Sequence, residues 1–270
     1  KDPLNYVLKT DLSEQYDFKG IFINGKANGL GEENNKHIIE IGPGTGNLSQ
    51  KIISITKPKK LSVIEKDKRL CDLLEIRFKD HSNFEVFNDD ILNFNLDKIL
   101  TKNSIIFGNL PYNISTQILV KLIKSKIWPP KFKKLVLMFQ KEVAERIVAK
   151  CNTSNYGRLS VISKWRFNIK EGFDISKHCF SPKPKVESTV LLFEPKINKD
   201  YKINNIETLE KITNVFFSGK RKMINKSIKK LFKNNNEFEK KINILQSMRP
   251  SQVSEDQYYM ISEYYEKINS

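Results

Sequence analysis

Cysteine, histidine and tryptophan are all scarce in this 270-residue sequence, with three, three and two copies. Cys71, Cys151 and Cys179 are odd in number and show no C-x-x-C spacing, so they offer neither a disulfide framework nor a zinc site, and no metal is expected. Thiols left unpaired point to an intracellular protein, with cytoplasm, nucleolus and organelle all open. No apolar run approaches the roughly 18 to 20 residues of a membrane span, so no membrane partner is expected. The sequence starts at Lys1 rather than Met, which leaves a removed leader open.

Acidic residues are also in short supply, 31 against 47 basic ones, for a net charge of +16. Such an excess favours a polyanionic partner such as nucleic acid. The bland alternative is compositional: 26 Asn, and 40 Lys against 7 Arg, are what an AT-rich genome encodes without any selected binding role. With 39% hydrophobic and 10% aromatic residues, the chain can bury one substantial core with a smaller appendage.

From about 36 to 195, short apolar runs alternate with helical patterns. HIIEIG (37–42), KLSVIE (60–65), FEVFN (84–88), SIIFGN (104–109) and KLVLMFQ (134–140) read as strands, and 47–56, 68–79 and 115–127 as helices. That alternation predicts a parallel, Rossmann-like α/β sheet. SVISKWRFNI (160–169) and STVLLFEP (188–195) are separated by too little chain for a crossover helix, so an antiparallel pair at a sheet edge is expected. After Pro195 a polar connector leads into 206–270, which has helical spacing, runs of Lys and no convincing strand. The predicted division is a catalytic domain over 1–196, with 1–35 as an N-terminal lid, and a small all-helical C-terminal domain over 197–270.

EIGPGTG (40–46) follows the first strand and opens a helix. Its G-x-G-x-G spacing is one residue shorter than the dinucleotide fingerprint, which favours a tight turn, through Gly42 and Gly44, against a nucleoside without a pyrophosphate, such as S-adenosylmethionine. Glu65 ends the second strand, where a carboxylate can accept from both ribose hydroxyls. Asp90, with Ile91 beside it, follows the third strand and is placed to accept from an adenine amine. Alone, each acid is more often a cap or a solvated turn. Glycine, Glu and Asp at three consecutive strand ends together describe an adenosine site.

FGNLPYNIST (107–116) then asks why a buried strand ends in Asn109, Pro111 and Tyr112. An exocyclic base amine is a poor nucleophile because its lone pair is delocalised into the ring. The Asn109 side-chain oxygen and the Pro111 carbonyl, aimed by the ring's fixed φ, can each accept one of its N–H groups. Tyr112 supplies a flat face for a base swung out of its stack. The bland reading, a strand-to-helix turn with an Asn cap and a core Tyr, fits any one of these residues and fits the set poorly.

EIGPGTGNLS, VIEKD, NDDILNF, GNLPYNIST, LMFQKEVAERIVAK, YGRLSV, FSPKPKVES and FFSGKRKMINKSI occur in the order and spacing of ribosomal RNA adenine dimethyltransferases. The chain resembles this KsgA-like family over roughly 36 to 270. The resemblance implies a class I methyltransferase that moves methyl groups from S-adenosylmethionine to the N6 of two adjacent adenines in the 3′-terminal hairpin of small-subunit ribosomal RNA. It further implies a monomer acting on a pre-assembled small subunit. Gly42 and its turn resemble the methionine-side contact, Glu65 the ribose ligand, Asp90 the adenine ligand, and Asn109 the residue touching cofactor and target amine. Phe180 resembles an aromatic that sandwiches the base opposite Tyr112, although a Phe before Ser-Pro-x-Pro is equally a core plug.

The basic run 219–233 resembles the family's first C-terminal helix, with Lys220, Arg221, Lys222 and Lys226 as phosphate contacts; the plain alternative is a solvated helix face. Where the family opens with Gln-x-x-Leu, this chain has Asn5-Tyr-Val-Leu8, which would put Tyr6 and Leu8 on the cofactor. Three other readings compete: a non-catalytic assembly or mitochondrial transcription factor on the same fold, a large-subunit RNA adenine methyltransferase, and a DNA adenine methyltransferase.

Overall fold

The computed structural model describes residues 36–181, 183–197, 200–232 and 242–269, together with a two-residue strand, β1 (Val7–Leu8). In chain order there follow β2 (His37–Ile41), α1 (Asn47–Thr56), β3 (Lys60–Glu65), α2 (Lys68–Arg77), β4 (Phe84–Asn88), β5 (Ser104–Asn109) and α3 (Ser115–Ile123). Then come β6 (Phe132–Gln140), α4 (Lys141–Val148), α5 (Arg158–Arg166), β7 (Phe167–Ile175), β8 (Phe180–Ser181) and β9 (Ser188–Pro195). The last helices are α6 (Ile206–Phe217), α7 (Asn225–Phe232) and α8 (Glu255–Asn269).

Seven strands form one sheet in the order β4-β3-β2-β5-β6-β9-β7. β2 pairs in parallel with both β3 and β5, β3 with β4, and β5 with β6, while β9 runs antiparallel to β6. The central strands are Val/Ile/Leu-rich because both of their faces are covered: Ile38, Ile39, Leu61, Val63, Ile105 and Ile106 are all fully buried. The chain winds one way from β2 through β3 to β4, then returns to β5 and β6. The strand order therefore reverses between β2 and β5, and the crevice at their carboxyl ends is where such sheets bind ligands.

The chain divides into two compact units, one comprising residues up to Ala144 with Ile169–Pro195, the other Glu145–Asn168 with Lys196–Ser270. The second unit begins in sequence well before residue 196, because 145–168 belongs to it. Within it, Val161, Leu209, Phe216, Tyr258 and Ile261 are fully buried, the Tyr259 hydroxyl donates to the Val161 carbonyl at 3.0 Å, and Lys164 pairs with Glu255 at 2.8 Å.

One strand expectation is corrected here. Residues 160–166 are helical, and the strand starts only at Phe167. Val161 and Ile162 favour a strand by propensity, but Ser160 folds the chain into a helical turn, accepting from the Gly157 N–H and donating to the Gly157 carbonyl, both at 2.9 Å. Burial of Val161, Ile162 and Ser163 then outweighs the β preference.

Candidate nucleoside site at the carboxyl edge

Sharp turns at the end of β2 build the centre of the site. Gly42, Gly44 and Gly46 all have positive φ, between 59° and 86°. A Cβ at Gly46 would come within 2.7 Å of Leu74 and Phe78, so the turn packs directly on α2. At Gly42 it would sit 3.8 Å from Pro111 Cδ and 3.9 Å from the Asn109 carbonyl oxygen, filling the gap between the glycine turn and the Asn-Leu-Pro stretch.

Glu65, only 5% exposed at the end of β3, draws the backbone around it. Its Oε2 accepts from the Gly44 N–H at 3.2 Å, and its Oε1 accepts from the N–H groups of Lys66 and Asp67 at 2.8 and 3.0 Å. Asp90 accepts from the Leu92 N–H at 2.9 Å and pairs with the exposed Lys66 ammonium at 2.8 Å. The Lys66 hydrogen bond and then the Leu92 N–H hold its carboxyl below the usual range. Lys121 on α3 pins this loop by donating to the Leu92 and Phe94 carbonyls at 2.9 and 2.8 Å, and burial lowers its own pKa.

A cavity of about 480 Å³ is lined by Gly42, Glu65, Asp90, Ile91 and Pro111, while Gly44, Asn109 and Tyr112 are not among its lining residues. Sequence reasoning missed Lys66, Asn113 and the apolar wall of Ile64, Ile114 and Ile118. Lys66 follows Glu65 directly and Asn113 belongs to the NLPYN motif, so adjacency was the available signal. Deeper in, Glu40 is 1% exposed; Ser49 on α1 donates to its Oε2 at 2.5 Å, and its Oε1 has no partner among the described residues. Burial pushes the Glu40 pKa up to about 7, against the effect of the Ser49 bond.

Asn109 ends β5 opposite Met138. The Pro111 carbonyl, expected to meet a target amine, already accepts the Ile114 N–H at 3.1 Å in the turn that starts α3. The Leu110 carbonyl takes no hydrogen bond among the described residues, so it is the freer acceptor. Tyr112 is half-buried, and its hydroxyl meets Ser188 Oγ at 2.5 Å.

Phe180 is the second correction. It is fully buried in a cluster with Ile175, Cys179 and Val190, and its backbone pairs with Leu8. The core-plug reading therefore holds in this conformation, and no ring face is open to a base. Tyr6 lies outside the described residues, and for Leu8 only the backbone pairing is described.

The basic run is the third correction, because it is not one helix. Lys220, Arg221 and Lys222 occupy a turn closed by the Lys222 N–H donating to the Gly219 carbonyl at 2.7 Å, and only Lys226 lies on α7. α6 precedes both. All four cations are exposed, and Lys220 also donates to the Ser154 carbonyl at 2.5 Å. Among the described residues, no helix is long and apolar enough to cross a membrane.

The model of a family described as ribosomal RNA adenine dimethylase matches residues 9–267. Ribosomal RNA small subunit methyltransferase A of Pelagibacter ubique is 46% identical over 237 residues, covering 87% of this chain and 88% of its own. The protein of the same name from Malacoplasma penetrans is 40% identical over 226 residues, 82% of this chain and 79% of its own. Among solved structures, a dimethyladenosine transferase from Plasmodium falciparum superposes with a TM-score of 0.71 at 25% identity, covering 93% of this chain and 94% of that one. The 23S rRNA methyltransferase ErmE gives 0.64 at 21% identity over 94% and 98%, and shares the fold.

Proposed function

This chain belongs to the ribosomal RNA adenine dimethylase family, and from that premise we propose how its carboxyl-edge site works. The protein is a small-subunit ribosomal RNA adenine dimethyltransferase. The finer reading is that S-adenosylmethionine is the methyl donor, and that two adjacent adenines of the 3′-terminal hairpin receive two methyl groups each within a pre-assembled subunit. The observation that carries it is that Gly42, Glu65, Asp90 and Pro111 line one cavity at the point where the strand order reverses.

The residues fit such a donor. A Cβ at Gly42 would fill the gap beside Pro111, while Glu65 and Asp90 are acceptors suited to ribose hydroxyls and an adenine amine. Ile64, Ile91 and Ile118 supply apolar walls for a base. When bound, S-adenosylmethionine supplies an electrophilic methyl group on its sulfonium.

The chain's own work is orientation. In the first transfer the Asn109 side-chain oxygen and the Leu110 carbonyl accept the two N–H groups of the target amine, and in the second transfer one of them accepts the single N–H that remains. That turns the nitrogen lone pair out of conjugation with the ring and aims it at the methyl group. No base is needed before attack, because the methylated nitrogen is cationic and releases its proton to water. Tyr112, fixed by Ser188, stacks on the base. A sandwich that included Phe180 would require its fully buried ring to become exposed first. The exposed cations Lys220, Arg221, Lys222 and Lys226 contact RNA phosphates in this reading.

The direct experiment incubates the protein with labelled S-adenosylmethionine and undermethylated small subunits and maps the product by mass spectrometry of the RNA. Dimethyladenosine at two adjacent 3′-hairpin positions is expected. Absence of label from protein that binds the cofactor would overturn the reading in favour of a non-catalytic assembly role.

A further inference from the structure

At the amino edge of the same sheet, opposite the nucleoside cavity, the starts of β2, β3, β4 and β5 surround a second concavity of about 870 Å³. Its charge is lopsided: Lys36, Lys59, Lys60 and Lys102 face a single carboxylate, Glu85. That carboxylate is already taken up, by Lys60 at 2.8 Å and by the Ser62 hydroxyl at 3.2 Å. Among the described residues the ammonium groups of Lys36, Lys59 and Lys102 pair with no carboxylate.

The floor of this groove is a braced polar network rather than a loose surface. His37 is 8% exposed; its Nε2 meets Ser62 Oγ at 2.9 Å and its Nδ1 meets Thr101 Oγ1 at 3.4 Å. Thr101 meets Ser104 Oγ at 3.1 Å, and the Ser104 hydroxyl donates back to the Thr101 carbonyl at 2.8 Å. Backbone bonds from Lys59 N–H to the Lys36 carbonyl and from Leu61 N–H to the Asn83 carbonyl, both 2.9 Å, tie the loops together. These three lysines therefore stand on anchored backbone. With the backbone already ordered, only the lysine side chains give up conformational freedom when the groove takes up a phosphate.

We propose that this amino-edge groove is a second RNA-backbone site, in which Lys36, Lys59 and Lys102 hold phosphodiester groups of the same ribosomal particle whose adenines enter the carboxyl edge. The inference rests on the reaction assigned above and extends it to how the substrate is held. A five-residue strand such as β2 separates the two edges by about 17 Å. A hairpin whose stem leads away from the carboxyl edge meets that edge alone, whereas a folded particle presents backbone to both edges. The groove would thereby favour the particle over the isolated hairpin without reading any base.

The test uses the full chain with Lys36, Lys59 and Lys102 all changed to Gln, and measures equilibrium binding to undermethylated small subunits across a salt series. Each phosphate that is no longer neutralised takes roughly 0.7 to 0.9 off the slope of log Kobs against log salt, so a slope shallower by about 2 to 3 is expected. Affinity for the isolated 3′-hairpin RNA and for S-adenosylmethionine should stay at the wild-type value, and the matching Lys-to-Arg variant should restore the slope. An unchanged slope with the particle would overturn the proposal, as would an equal weakening with the hairpin. Failure of the assigned reaction is separately visible, since wild-type protein would then methylate neither RNA.

Discussion

The two edges of one sheet carry opposite chemistry. The carboxyl-edge cavity gathers four carboxylates, Glu65, Asp67, Asp89 and Asp90, against Lys66 and Arg69, whereas the amino-edge groove gathers four lysines against Glu85. The contrast runs along a single strand: β2 starts with the buried His37, whose pKa is lowered by burial and then by Lys60, and nears its end with the buried Glu40, whose pKa is raised. Carboxylates suit the hydroxyls and amines of a nucleoside, and ammonium groups suit phosphates. The fold keeps these two kinds of charge apart, which allows the chemistry of one edge to be broken without the other.

Asn109→Ala should break the carboxyl edge most severely. Removing one acceptor from the amine-orienting pair should lower kcat about 100- to 1000-fold, by analogy with removal of one oriented donor from an oxyanion hole. S-adenosylmethionine affinity should fall far less, and the salt slope for particle binding should not move. Single-turnover methylation with isothermal titration of the cofactor separates these quantities; near-normal turnover would remove Asn109 from its role.

Glu40→Gln tests the buried acid. With a folded pKa of about 7 against an ordinary value near 4.5, Glu40 keeps its proton in the folded chain while the unfolded chain loses it. The folded chain thus binds more protons between those values, and stability falls as pH rises from about 4.5 to 7. Gln stays neutral throughout. The variant should therefore gain about 2 to 3 kcal/mol over the wild type between pH 5 and pH 8, measured by denaturant unfolding of ligand-free protein. A difference that does not vary with pH would mean that Glu40 is ionised throughout.

Glu65→Gln comes next in size. It turns one of the two oxygens that accept from the Gly44, Lys66 and Asp67 N–H groups into a donor and removes the charge that strengthens hydrogen bonds from ribose hydroxyls, so the cofactor Kd should rise about 30-fold, or ~2 kcal/mol. kcat at saturating cofactor should change little. A Kd at the wild-type value would cancel the ribose assignment.

Much of the carboxyl edge is legible in the sequence because it is built from consecutive strand ends. Gly42, Glu65, Asp90 and Pro111 each follow an apolar run whose periodicity is plain, and parallel strands bring such ends to one crevice. The amino edge leaves no such trace. Lys36, Lys59 and Lys102 are single residues in a chain with 40 Lys, and only strand order makes them neighbours. Arg158–Arg166 departs from expectation for a different reason: propensity favours a strand for its β-branched residues, whereas burial within the second unit decides the outcome. The turn at Gly219 likewise divides a basic run that is continuous in charge alone.

The smallest expected effect concerns Ser188, a buried β9 residue whose hydroxyl meets that of Tyr112 at 2.5 Å. FSPKPKVES contains it, yet nothing in that segment points to Tyr112, 76 positions earlier. If the pair fixes the ring over which the base stacks, Ser188→Ala and Tyr112→Phe should each weaken RNA-dependent turnover by about 1 kcal/mol, some fivefold. The double variant should be no worse than either single one, since both remove the same bond. S-adenosylmethionine affinity and the amino-edge salt slope should be untouched by all three. Additive effects would mean that the two hydroxyls act separately and that Ser188 does not position Tyr112. Non-additive effects confined to turnover would make it a positioning residue of the carboxyl edge, set on the antiparallel strand rather than on any of the parallel strands that carry the cavity.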